Sequence, residues 1–209
     1  MLRILGRPNS INVRKVLWLC HELGIAFDNE PWGDGDASRR LDAPAFTALN
    51  PNRMVPVIDD DGFVMWESNS ILRYLAASRE RTDLYPGAPR ERARVDQWVD
   101  WQASDLNAAW RYPFKSLVRR MPGYDDAGTL AADIAGWTAL MRVLDAQLQA
   151  TQAFVSGEAF TLADIPIGLS VHRWFSTPID HPRMEGVSSY YERLCAREGF
   201  RRFGRNGMP

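Results

Sequence analysis

The residue pattern changes its periodicity once along the chain. Over the first 80 residues, short apolar runs alternate with helical stretches; after the Tyr85-Pro86-Gly87-Ala88-Pro89 segment only helical spacings remain. Residues 2–6 form a short apolar run that reads as a buried strand. From Asn12, the residues Val13, Val16, Leu17, Cys20 and Leu23 share one helical face, and Gly24 ends the pattern. Residues 25–32 hold a second strand, and the polar residues 33–42 read as a loop. Val55-Pro56-Val57-Ile58 predicts a third strand. The turn at 59–62 returns the chain as a fourth strand at 63–65. A helix then opens near Glu67-Ser68 and buries Ile71, Leu72 and Leu75. The order is βαβ followed by ββα, so residues 1–80 read as an α/β domain.

Residues 81–89 read as a linker by composition, and 90–209 as an all-α domain. Val95, Trp98, Val99, Gln102 and Leu106 form one stripe. Leu130, Ile134, Trp137, Met141, Leu144 and Leu148 form another, broken from the first at Met121-Pro122-Gly123. Thr161-Leu162-Ala163-Asp164 predicts reciprocal capping of a buried helix, with Pro166 expected to remove one bond and kink it. A last helix is expected over 187–197.

Composition removes several function classes. A formal net charge of −1 argues against a general nucleic-acid binder. No apolar run approaches the ~20 residues of a membrane span, and the opening residues turn polar too soon for a signal peptide. The 2 cysteines, Cys20 and Cys195, form no CxxC pair, which suits a reducing cytoplasm. His21, His172 and His181 show no metal-ligand spacing, so no metal is expected; His172 reads as a satisfied core residue.

Three segments carry a resemblance. Asn9-Ser10-Ile11-Asn12-Val13-Arg14-Lys15-Val16 leads the first helix. Asn50-Pro51-Asn52-Arg53-Met54-Val55-Pro56-Val57 precedes Glu67-Ser68. Thr161-Leu162-Ala163-Asp164-Ile165 opens a late helix. In this order and spacing, over nearly the whole chain, the sequence resembles the glutathione S-transferase family, in its serine-type phi- or theta-like and related bacterial classes. The resemblance implies a thioredoxin-like N-terminal domain, a helical C-terminal domain, glutathione as co-substrate and a homodimer.

The resemblance also implies roles. Ser10, with Asn12 as cap or assistant, would stabilise the glutathione thiolate at a helix N-terminus, where unpaired N–H groups and positive potential favour the anion. Read locally, either residue is an ordinary N-cap. Val55, before a cis Pro56, would pair with the cysteinyl backbone as an added strand. Ser68 would take the γ-glutamyl carboxylate at a helix start and Glu67 the γ-glutamyl amine, against a local reading of plain capping.

Arg53-Met54 stands where many relatives carry Gly then Lys or Gln, and Met54 cannot donate a hydrogen bond. Arg39, Arg40 or Arg53 is then left to meet the glycyl carboxylate. Trp110, Tyr112, Phe114 and Trp174 are expected to wall a pocket for a small apolar electrophile, with Arg111 reaching an anionic acceptor or water. Asp105 either crosses a dimer interface toward the partner's glutathione or is an ordinary exposed carboxylate. The same motifs suit a conjugating or peroxide-reducing transferase and a dedicated glutathione-dependent isomerase, dehalogenase or ether-cleaving enzyme. They also suit a non-catalytic interaction module.

Overall fold

The computed structural model describes residues 1–207 and residue 209. The first half is a four-stranded mixed sheet in the order β2-β1-β3-β4. The strands are β1 (Leu2–Leu5), β2 (Phe27–Glu30), β3 (Val57–Asp60) and β4 (Phe63–Trp66). β1 pairs parallel with β2 and antiparallel with β3, with Ile4 opposite Asn29 and Ile58. The hairpin register sets Ile58 against Met65. The parallel β1–β2 pair requires a crossover, which α1 (Ile11–Leu23) supplies.

α1 ends as the sequence predicts. Gly24 takes the left-handed conformation at φ 66°, and Ile25 N donates to the Cys20 carbonyl at 2.9 Å, closing a Schellman-type cap. The structure adds α2 (Pro44–Thr47) after the polar loop, where no helix was expected. Its brevity leaves it without a periodicity to read. α3 is Ser68–Ser78. β3 begins two residues later than expected, because Val55 and Pro56 lie outside the ladder.

The second half is helical. α4 (Pro89–Trp101) runs on through a π-helical turn at Gln102–Leu106, and a second π-helical turn occupies Phe114–Val118. α5 (Ala127–Thr151), α6 (Asp164–Ser176) and α7 (Glu185–Cys195) follow. A final turn at Phe200–Gly204 lays Phe200 against Trp18 of α1, ring centroids 5.1 Å apart. Residues 13–20 of α1 are therefore all buried, with α3, α6 and the last turn packed against the helix. Its Arg14 and Lys15 are buried along with its apolar stripe.

Two expectations about α6 are corrected. The capping is not reciprocal: Asp164 Oδ2 accepts from Thr161 N at 2.8 Å and from its hydroxyl at 3.2 Å. Asp164 Oδ1 turns instead to Val155 N and the Tyr190 hydroxyl, each at 3.0 Å. Burial pushes the Asp164 carboxyl up to about 6. Pro166 falls in the first turn because the helix begins at Asp164, so its missing N–H breaks no ladder and the helix runs unbroken to Ser176. His172 is buried, with Nδ1 2.9 Å from the Tyr191 hydroxyl.

Candidate active site

β1 delivers the chain to α1 through a close approach at Gly6. A Cβ there would stand 2.5 Å from Val13 Cγ2 and 3.0 Å from Val55 Cβ, so only glycine lets the α1 start and the Val55 loop meet. Ser10 is the N-cap residue of α1, with φ −75° and ψ 127°. Its carbonyl accepts from Arg14 N at 2.9 Å, but its side chain makes no capping bond. The hydroxyl is thus left for another partner beside the unpaired N–H groups of the first turn.

Ser10 and Asn12 line a cavity of about 460 Å³ together with Asn9, Ile11 and Met54. Trp110, Arg111 and Phe114 form part of the opposite wall, contributed by the helical half. Trp110 and Phe114 stand edge to face, 5.8 Å between centroids, and give that wall its apolar surface. Among the cavity residues for which the sequence suggested no role are Asn9 and Arg173. Asn9 Oδ1 is buried in the Ser10 turn without a hydrogen-bond partner among the described residues. Arg173, on α6, is 3% exposed, and its guanidinium lies 4.1 Å from the Trp110 ring and 4.0 Å from the Phe114 ring. Burial, then Arg14 and Arg119, lower the Arg173 pKa to about 9.

Two expected wall residues are elsewhere. Trp174 is 1% exposed and packs edge-on against Trp137 at 4.8 Å, so it belongs to the core. The helix turns that face inward and presents its neighbour Arg173 to the cavity. Tyr112 leans on Tyr124, its hydroxyl accepting from Asp126 N at 3.0 Å, and it does not line the cavity. Asp105 is exposed on the first π-helical turn and accepts from the Ser104 hydroxyl at 2.8 Å.

The loop before β3 is organised from within. Asn50 is buried; its Nδ2 donates to the Met54 carbonyl at 2.8 Å, and its Oδ1 accepts from Asn52 N at 3.0 Å. Arg53 takes a left-handed φ of 55°, Met54 is 60% exposed, and the Val55–Pro56 bond is cis. The Val55 amide and carbonyl have no backbone partner among the described residues, which leaves an open edge. Glu67 precedes α3 at φ 73° and ψ 105°, a strained conformation for a non-glycine residue of the kind stored at ligand sites. Ser68 is buried at the helix start.

Beneath this turn Lys15 Nζ donates to Asn69 Oδ1 and Gln102 Oε1, both at 3.1 Å, and Gln102 Nε2 donates to the Ser170 hydroxyl at 2.9 Å. This chain of amides ties α1 and α3 to α4 and α6. A separate depression of about 520 Å³ is lined by Arg39, Arg40 and Arg53. Arg40 is bound in a fork to Asp42, at 2.9 and 2.6 Å.

A thioredoxin-like sheet domain is joined to a helical domain, with an uncommitted serine at the α1 N-terminus facing a cavity between them. That is the architecture of a glutathione-dependent transferase. The family model described as glutathione S-transferase, N-terminal domain, matches residues 9–78. Glutathione S-transferase GstB of Escherichia coli K12 is 33% identical over 204 residues, 97% of each chain. Glutathione S-transferase 3 of Zea mays is 29% identical, covering 96% of this chain and 92% of its own. The theta-class glutathione S-transferase of Xanthomonas axonopodis pv. citri, solved with glutathione bound, is 38% identical with a TM-score of 0.90, over 100% of this chain and 99% of that one. The chain belongs to the glutathione S-transferase family.

Proposed function

We propose that the protein conjugates glutathione to a small electrophile, with Ser10 holding the reacting thiolate. The tripeptide lies along the open Val55 edge. Its γ-glutamyl end sits at the α3 start, where Ser68 and the helix N–H groups receive the carboxylate and Glu67 the amine. Arg39 and Arg53, which line the 520 Å³ depression without carboxylate partners among the described residues, are placed for the glycyl carboxylate. Arg40 is already occupied by Asp42. Met54 contributes its backbone and apolar contact rather than a side-chain donor.

The thiol sulfur then meets the Ser10 hydroxyl and the α1 N-terminus, which favour the thiolate over the thiol. Asn12 is the second polar group at that turn. The thiolate attacks an electrophile resting on Trp110 and Phe114. A carbon–sulfur bond forms, the leaving group departs with its electron pair, and the thiol proton goes to solvent. Rate comes from holding a ready nucleophile against a positioned acceptor.

The observation that carries this reading is the Ser10 hydroxyl, unused by its own helix cap and facing the 460 Å³ cavity. The protein is read as a homodimer, with Asp105 near the partner's glutathione, and as a cytoplasmic enzyme; among the described residues no helix is long and apolar enough to cross a membrane. No group of metal-ligating side chains occurs among those residues. Calorimetric titration with reduced glutathione, paired with an ultraviolet scan of the complex, tests the proposal. Saturable binding with thiolate absorbance near pH 7 supports it. No binding at millimolar glutathione removes it and leaves the non-catalytic interaction module.

A further inference from the structure

We propose that the electrophile this cavity is built for carries a negative charge: a small molecule with a flat apolar body and a carboxylate. The inference rests on the cavity's being the acceptor site. Its lining includes Arg7, Arg111, Lys115, Arg119 and Arg173, and no aspartate or glutamate. Among the described residues their side chains bond to no aspartate or glutamate. Arg7 Nη1 donates to the Gly33 carbonyl at 2.8 Å, Lys115 Nζ to the Tyr124 hydroxyl at 2.6 Å, and Arg173 Nη2 to the main-chain oxygen of Pro209 at 3.1 Å. Arg111 and Arg119 are exposed at the rim. Cations gathered on one concave wall, with low-dielectric rings behind them, concentrate an anionic ligand.

Arg173 carries the argument furthest. A guanidinium that is 97% buried and has no aspartate or glutamate partner among the described residues is costly to keep, yet it is clamped on two aromatic rings beside the cavity. Its Nε is buried with no hydrogen-bond partner among the described residues. A planar fork fixed by stacking is the group that suits a carboxylate, more so than a flexible ammonium. The neighbouring Trp110 and Phe114 faces give such a ligand's apolar body a surface. Glutathione's own carboxylates do not account for this wall. In the reading above they lie at the α3 start and at Arg39 and Arg53, none of which lines this cavity.

The test uses a matched pair of acceptors, para-chloro-dinitrobenzoate and its carboxamide. Both react by the same substitution: the sulfur–carbon bond forms, chloride leaves with the bonding pair, and the thiol proton goes to solvent. Each kcat/KM is divided by the uncatalysed rate with glutathione, which removes the intrinsic difference in reactivity. The expected benzoate preference is about tenfold or more, the size of one charge-assisted hydrogen bond. Arg119→Gln, at an exposed position, lowers the preference, and so does raising the salt, which screens the rim cations. Arg173→Lys, which keeps the charge and loses the fork, lowers it further. A preference of one or below overturns the inference while conjugation stands. So does a preference that neither salt nor Arg119→Gln moves. Turnover of neither acceptor by protein that binds glutathione overturns conjugation and this inference together.

Discussion

Replacing Lys15 by methionine gives a stability change whose pH dependence follows from the structure. Lys15 is 3% exposed, and among the described residues its Nζ bonds to the neutral oxygens of Asn69 and Gln102. Burial lowers its pKa from 10.5 to about 7; Arg173 adds to the lowering and Glu67 opposes it. The folded pKa therefore lies below the unfolded one. Below pH 7 both states hold the proton, and folding carries the full cost of burying the charge. Above it the folded protein has released a proton that the unfolded chain keeps until about pH 10, so this group makes stability rise with pH.

Each pH unit in that window is worth about 1.4 kcal/mol. Two units, less the half-titration already present at pH 7, give about 2 kcal/mol between pH 7 and pH 9. Lys15→Met keeps the length and the apolar stem and removes the titration. Urea unfolding of both proteins at pH 7, 8 and 9 isolates the effect, since every other titrating group cancels in the difference. The wild type should gain on the variant by about 2 kcal/mol across the range. Parallel pH profiles, differing by less than about 0.5 kcal/mol, would refute the reasoning and show that the amide oxygens hold a charged lysine at no net penalty.

Three further changes have defined signs. Ser10→Ala should raise the pKa of bound glutathione's thiol by about a unit or more, about 1.4 kcal/mol of lost thiolate stabilisation. An unmoved thiolate absorbance curve transfers the role to Asn12 or the helix terminus. Glu67→Gly should stabilise the free protein by about 1 kcal/mol in thermal melting, by releasing the strain at φ 73°, while weakening glutathione binding in calorimetry; unchanged affinity removes Glu67 from the γ-glutamyl site. Asp164→Asn sets an amide against at least one of the Val155 and Thr161 N–H donors and should cost about 3 kcal/mol in urea unfolding; a loss below about 1 kcal/mol would mean the buried site rearranges around it.

The strand and helix order could be read from the sequence because each element there carries its own signal. The α1 stripe is stopped by Gly24, the 59–62 turn is flanked by apolar runs, and the α5 stripe holds its spacing from Leu130 to Leu148. The candidate site could be read only where residues sit next to one another in the chain. The Ser10 turn and the Glu67-Ser68 helix start belong to motifs a few residues long. The expected acceptor wall was legible only in part. Trp110 and Phe114 line the cavity, but Tyr112 and Trp174 share their composition and spacing and do not. A one-residue difference in helical phase decides whether Trp174 or Arg173 faces the cavity, and aromatic content does not report phase.

Sequence alone determined the change from an α/β half to a helical half, and the family. Those depend on local periodicity, on turn residues and on short motifs whose spacing the chain cannot alter. Tertiary structure decided what the charged residues do. Lys15 and Arg14 lie on a helix whose apolar stripe predicts one buried face, yet both are enclosed because the helical half packs over the other face. Arg173 is buried in α6 and aimed at the cavity by stacking on rings some sixty residues earlier in the chain. Burial of a cation depends on what covers it, and that cover comes from segments remote in sequence.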